Sequence, residues 1–314
     1  MGRAVTIGIA AFGPNAGRAV MEALRAVEAV GRGAIGGFVS LVVIHASGRV
    51  ERWETQRGGS ARLFPGGLQK MPAAAAEAPV AGLMSSGPDR PEPLSQFTPA
   101  DGGVGLVTGH RMPNTIGVNG MNLNDEALEL MRRGYSAADA VGRVISANPD
   151  ADAGMIALSV DGDFGVADSP SVGKRSDAGR AQVGSAASGA AAVLHNAILP
   201  HRPIAALAAE VAIDVMRPPD RPTDWITFHA GARVAAGAIN AVVIDTNGVV
   251  QGIVVENPRL LVGSWSFGIG YEAQVVSANQ VVAAMLYEPY MVLNDGRLAT
   301  IDGRAELAVP VRNR

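Results

Sequence analysis

The sequence predicts an α/β (α+β) protein with helices layered on buried sheets. Three observations predict it. The order strand, helix, hairpin occurs three times, within residues 5–56, 103–169 and 185–256. The hairpin strands are apolar on both faces, as in Phe38-Val39-Ser40-Leu41-Val42-Val43-Ile44, and such strands belong in sheets covered on both sides. Between the strands, apolar residues recur at helical spacing, so each helix has one face to bury against a sheet.

The first unit opens with the apolar run Thr6–Ala11, which reads as a strand rather than a signal peptide because no small-residue cleavage pattern follows it. The turn Phe12-Gly13-Pro14-Asn15 leads to a helix near Ala16–Val30, with Val20, Leu24, Val27 and Val30 on one face and Gly31 as its stop. Phe38–His45 and Arg49–Thr55 form a hairpin about Ser47-Gly48.

The second unit runs from the strand Val104–Thr108 through a polar loop, Gly109–Asn119, to two helical pieces. Asn124 suits the N-cap of the first, and Ser136 with Asp139 forms a capping box for the second. Met155–Val160 and Asp163–Asp168 turn about Asp161-Gly162. The third unit comprises Ala190–His195, a helix Pro203–Met216 striped by Ile204, Leu207, Val211 and Val215, and a hairpin Ala238–Asp245/Val249–Glu256 about Asn247-Gly248.

Residues 257–314 read as a partial repeat, with a helix over Ala273–Leu286 and a hairpin over Tyr290–Ile301. Residues 58–102, rich in Pro, Ala and Gly, break the pattern and read as one long loop. All of this is expected within a single domain, 1–314.

Composition narrows the function. Hydrophobic residues make up 48% and charged residues 18%, enough for a large core, and the net charge of −3 gives no footprint for nucleic acid. No cysteine is present, which excludes disulfides and thiolate metal sites. No stretch has the length and apolarity of a membrane span, so the expected setting is the cytoplasm, without a membrane partner. Gly31-Arg32-Gly33-Ala34-Ile35-Gly36 matches G-x-G-x-x-G but follows a helix and precedes a strand, the wrong context for a dinucleotide. No cofactor and no metal are expected; the expected partner is a small-molecule ligand, with a homo-oligomer possible.

One stretch carries a family pattern. Gly103-Val104-Gly105-Leu106-Val107-Thr108-Gly109-His110, then Glu129-Leu130-Met131-Arg132-Arg133-Gly134-Tyr135-Ser136-Ala137-Ala138-Asp139-Ala140-Val141, then the Asp161-Gly162 hairpin, resembles the N-terminal-nucleophile (Ntn) hydrolase superfamily. It is most similar to a bacterial family placed there and, more distantly, to isoaspartyl peptidases. The resemblance implies a four-layer αββα fold. It also implies amide hydrolysis by a Thr, Ser or Cys that begins a strand after cleavage, its free α-amine acting as base.

Laid on the nucleophile strand, Phe38–Ile44 puts Phe38 at the nucleophile position; Thr98 is followed by Pro99, and Thr108 ends a strand. An uncut chain is therefore expected. The three units are also similar in plan to the cyclic-amide ring-opening hydrolases, cyanuric acid hydrolase and barbiturase, which have three lobes about a pseudo-threefold axis and a Ser–Lys pair from each. This chain has only Lys70 and Lys174, and Ser171-Val172-Gly173-Lys174 reads as a solvated loop.

The candidate site lies where each unit passes from its first strand to its helix. Thr108, His110 and His195 are the candidate catalytic groups, the histidines because they titrate near neutral pH. Arg111, Asn114, Asn196 and Asn15 are the candidate substrate-binding groups, with Arg111 able to hold a carboxylate through two parallel hydrogen bonds. If the repeats pack about a common axis, these loops converge on one pocket. The expected function is a small-molecule amide or cyclic-amide hydrolase; the alternative is a non-catalytic ligand-binding or regulatory protein on an Ntn-like scaffold that lacks the nucleophile.

Overall fold

The computed structural model describes residues 5–217 and 222–313. The chain forms two compact units, Met1–Pro218 and Pro219–Arg314, where one domain was expected.

In the first unit, β1 (Thr6–Phe12) is followed by α1 (Ala16–Val30), β2 (Val39–Ile44), β3 (Val50–Thr55), the short helices α2 (Gly59–Leu63) and α3 (Ala73–Ala76), and β4 (Val80–Ser86). Then come β5 (Ala100–Asp101), β6 (Gly105–Arg111), α4 (Leu123–Arg132), α5 (Ala137–Ala147), β7 (Ala153–Ser159) and β8 (Phe164–Asp168). The unit ends with α6 (Pro170–Gly173), β9 (Ala178–Ser185), β10 (Gly189–Asn196) and α7 (His201–Met216).

The strands make two antiparallel sheets, β3-β2-β4-β1-β10-β9 and β5-β6-β7-β8. Alternation along each strand decides the layers. On the first sheet, Ile7, Ile9, Leu41, Leu83 and Val193 join α1 and α7 in one core. Ala10, Val42, Val80, Ala192 and Leu194 on its other face meet Leu106, Ile156 and Leu158 of the second sheet. Val107, Met155 and Ala157 pack outward against α4 and α5. The first unit is thus a four-layer αββα sandwich. Burial of each Val or Leu in these layers contributes about 1.5–3 kcal/mol.

The first two strand–helix–hairpin units form as expected. The third does not stay together. Its strand and helix, β10 and α7, complete the first sheet, whereas its hairpin belongs to the second unit. A pseudo-threefold plan is therefore not formed. The reason lies in pairing: β10 runs antiparallel to β1 in full register, Thr6 opposite Asn196 and Phe12 opposite Ala190.

The segment 58–102 is not one loop. It contains β4, every residue of which is buried, between β1 and β2 at the centre of the first sheet. Its Gly82 and its terminal Ser85-Ser86 disguise it, but those hydroxyls are satisfied by backbone carbonyls, Ser85 by Phe38 and Ser86 by Val5. Ser171 lies in α6 rather than in a loop, and both it and Lys174 are exposed.

The second unit is built of strands with one short 3-10 turn, Pro258–Leu261: β11 (Asp224–His229), β12 (Arg233–Ala236), β13 (Ala241–Ile244), β14 (Val250–Val255), β15 (Ser264–Gly268), β16 (Gln274–Ser277), β17 (Gln280–Met285), β18 (Tyr290–Asn294), β19 (Arg297–Ile301) and β20 (Glu306–Asn313). They form one sheet, β11-β20-β17-β16-β13-β14-β12-β19-β18-β15, around a core that includes Phe228, Val242, Val275, Met285 and Leu293. The helix expected over Ala273–Leu286 is instead the hairpin β16–β17. Ala278 and Asn279 take φ of 47° and 65°, a two-residue turn, and the Val pairs 275–276 and 281–282 favour strands on either side of it. The hairpin over Tyr290–Ile301 forms as expected. Among the described residues, no helix is long and apolar enough to cross a membrane.

Candidate functional site at the start of the first strand

The polar groups of the first unit gather at one end of the sandwich, where β1 begins. Ser86, Thr6 and Asn196 stand side by side there on adjacent strands, in register. All three are fully buried and share the parity of the inward-facing residues of their strands.

Thr6 is held from both sheets. Its hydroxyl donates to Asn196 Oδ1 (2.5 Å) and accepts from the backbone N–H of Arg111 (2.6 Å) across the sandwich. Such an approach requires the two sheets to touch. They do so at Gly8, where an added Cβ would sit 2.3 Å from the carbonyl oxygen of Gly109. Arg111 itself has φ 66°, a left-handed conformation that costs a non-glycine residue about 1–3 kcal/mol. The carbonyl of Val5, preceding Thr6, accepts a hydrogen bond from Ser86 Oγ, which in turn accepts one from the Arg90 guanidinium.

His110 faces the same space from β6. Its Nε2 bonds Asp168 Oδ1 at 2.7 Å, and its Nδ1 is buried without a hydrogen-bond partner. Gly154 makes this pair possible, since a Cβ there would lie 2.3 Å from His110 Nε2 and 2.1 Å from Asp168 Oδ1. Asp168 also borders a groove of about 430 Å³ shared with Arg175, Gly179 and Arg180.

Of the expected site residues, His110, Arg111 and Asn196 come together around Thr6. Arg111 does so through its backbone, while its side chain makes a bidentate pair with Asp152. The guanidinium expected to hold a ligand carboxylate instead holds Asp152, and the pair keeps the Asp152 carboxyl below its usual pKa.

Thr108 is a strut between the sheets, its buried hydroxyl donating to the Leu83 carbonyl at 2.8 Å. Asn114 lies beyond the end of β6, bonded to Gln96 Oε1 at 2.7 Å. Asn15 is at the other end of β1, about 20 Å away at 3.3 Å per residue, in the left-handed N-cap position of α1. The equivalent loops therefore do not all converge.

His195 belongs to the same end but shares the parity of Val193, which faces the helix layer. Its Nε2 bonds the His201 carbonyl at 2.9 Å, so its buried Nδ1 carries the lone pair in the neutral ring. Burial, opposed by that hydrogen bond and reinforced by the nearby His110 and His201, lowers its pKa to about 4. It is neutral at pH 7.

A folded-state pKa below the unfolded value of 6.5 makes the unfolded chain bind the proton first. Stability is complete above pH ~6.5 and is lost as pH falls toward ~4, by up to about 3 kcal/mol. Urea melts between pH 7 and 4 check this. His195→Gln should flatten that part of the profile, and an unchanged slope in the variant would assign it elsewhere.

Sequence reasoning missed Thr6, Ser86 and Asp168. Thr6 had a readable signal: a hydroxyl residue opening an apolar run with a glycine two residues on. Among the described residues, no group of three His, Asp or Glu side chains is placed to hold a metal ion.

Residues 6–225 match a family described as a domain of unknown function (DUF6963). The chain belongs to the DUF6963 family. Residues 231–306 match a second description, a domain of unknown function (DUF7259), within the β unit. No curated protein matches the chain. Among solved structures, glutamine phosphoribosylpyrophosphate amidotransferase from B. subtilis, complexed with ADP and GMP, is similar at 10% identity with a TM-score of 0.36. The match covers 60% of this chain and 41% of that one, so this chain spans less than half the length of that enzyme.

Proposed function

We propose that this DUF6963 protein is an amide hydrolase of the Ntn type, acting on small molecules, with Thr6 Oγ1 as its nucleophile. The observation that carries the reading is the placement of Thr6 at the first position of a central strand of an αββα sandwich, its hydroxyl fixed from both sheets.

The chemistry begins on the chain itself. Thr6 Oγ1 attacks the Val5 carbonyl carbon, whose oxygen is already hydrogen-bonded to Ser86 Oγ. The Val5–Thr6 C–N bond breaks, and the hydroxyl proton ends on the Thr6 nitrogen, which becomes an α-amine. Water hydrolyses the resulting ester. The freed amine then takes the Oγ1 proton during attack on a substrate amide and delivers it to the leaving amine, and water, giving its proton to the same amine, cleaves the acyl–Thr6 ester to release the acid and restore the hydroxyl. Ser86 Oγ–H is the donor toward the developing oxyanion.

A second reading rests on the same hydroxyl. Thr6 is fully buried with both a donor and an acceptor satisfied, as a purely structural threonine would be. On that reading the protein is a ligand-binding scaffold without a working nucleophile. Intact-mass measurement with N-terminal sequencing separates the two. Hydrolase function requires a chain that starts at Thr6, and a purified protein that retains Val5 supports the binding scaffold.

A further inference from the structure

The second unit contains a cavity that the amide chemistry does not use. It encloses about 560 Å³ and is lined by β11, the β13–β14 turn, β17 and β20. Trp225 stands in its wall, 56% exposed, although an indole of this size is normally buried. Around it are Asp224, Asp245, Asn247, Ser277 and Asn313, and among the described residues no lysine or arginine lines it.

We infer that this cavity binds a neutral saccharide, one pyranose ring resting on Trp225. The lining selects the ligand by chemistry. The Asp224 and Asp245 carboxylates disfavour phosphates and carboxylates, and hydroxyl, amide and carboxylate groups suit a ligand with many O–H groups. An exposed aromatic face suits the C–H side of a sugar ring.

A cationic ligand would want an aromatic cage of several rings. Here a single indole offers a platform. The Asp245 carboxylate is already occupied by the N–H groups of Asn247 and Val249 and by the Gln251 amide, which hold its pKa down.

The site is also built on rigid elements. Backbone N–H of Thr227 bonds the Gly248 carbonyl at 2.9 Å, and Thr227 bridges Val249, so the edge strand β11 is tied to the turn that carries Asn247. The wall that holds Trp225 and the wall that holds Asn247 are thereby fixed against each other.

Titration of the full chain with maltose, cellobiose and lactose, followed by tryptophan fluorescence and amide chemical shifts, tests this. At least one disaccharide should bind saturably, in the millimolar range. Trp225→Ala should weaken it about tenfold, equivalent to about 1.4 kcal/mol, and Trp225→Phe by less. Because Trp225 is exposed, the thermal midpoint should hold in both variants. Asn247→Ala is a second probe that leaves the three tryptophans intact. Absence of saturable binding by all three sugars overturns the proposal. So does binding that survives Trp225→Ala, or a response to choline in place of the sugars.

Discussion

Thr6→Ala should abolish amide hydrolysis and leave the chain with residue 5 still attached. In a serine hydrolase, removal of the nucleophile costs a factor on the order of 10⁶ in kcat, and here the same oxygen would also perform the chain cleavage, so both activities should vanish together. The substitution removes a fully buried hydroxyl, so Arg111 N–H loses its acceptor and Asn196 Oδ1 loses this donor. A stability loss of about 1–3 kcal/mol should accompany it. Thr6→Ser separates the two effects, because it keeps the oxygen and removes only a methyl group. It should cleave and hydrolyse, at a reduced rate. The readouts are intact mass and release of ammonia or amine from a panel of primary amides, cyclic amides and acyl amino acids. Loss of stability in Thr6→Ala with no cleavage in the parent would make Thr6 a structural residue.

Gly8→Ala should be among the most damaging single substitutions in the first unit. The added Cβ would meet three backbone atoms of Gly109, at 2.3, 2.6 and 2.8 Å, and backbone cannot swing aside as a side chain can. Overpacking of a core costs 1–3 kcal/mol, occasionally more. Here the obstruction separates two whole sheets, so a loss of about 3 kcal/mol or more is expected, measured by denaturant melts. Gly142→Ala is the control: it lies in α5 with nothing within 4 Å of the new Cβ and should be neutral or mildly stabilising. In any Gly8→Ala protein that still folds, the Arg111 N–H should no longer reach Thr6, and its amide should exchange with solvent faster. A variant as stable as the parent would show that the sheets can move apart without loss.

The sequence by itself determined the local elements of the first unit. The helical spacing of Val20, Leu24 and Val27 and the doubly apolar Phe38–Ile44 depend on nearest neighbours, so α1, the β2–β3 hairpin and their counterparts in residues 105–168 were legible. The Ser136 cap was legible for the same reason, and it forms, accepting from Asp139 N–H at 3.1 Å. Strand β4 was not, because Gly82, Ser85 and Ser86 carry loop chemistry unless β1 and β2 lie on either side to satisfy them. The third hairpin was correct as a hairpin and misplaced as part of a repeat, since periodicity says nothing about which sheet a strand joins.

The candidate site followed the same division. His110, Arg111, His195 and Asn196 could be picked out as scarce polar residues beside apolar strands, but their roles could not. Tertiary structure gave the Arg111 side chain to Asp152, turned His195 into the helix layer, used Thr108 as a strut, and left Asn15 at the far end of β1. It also brought Thr6 to Asn196, 190 residues away in sequence, and to Arg111, 105 residues away. Contacts over such separations are set by sheet register and by the Gly8–Gly109 approach between sheets, and a single strand's residues encode neither until the partner strand is in place.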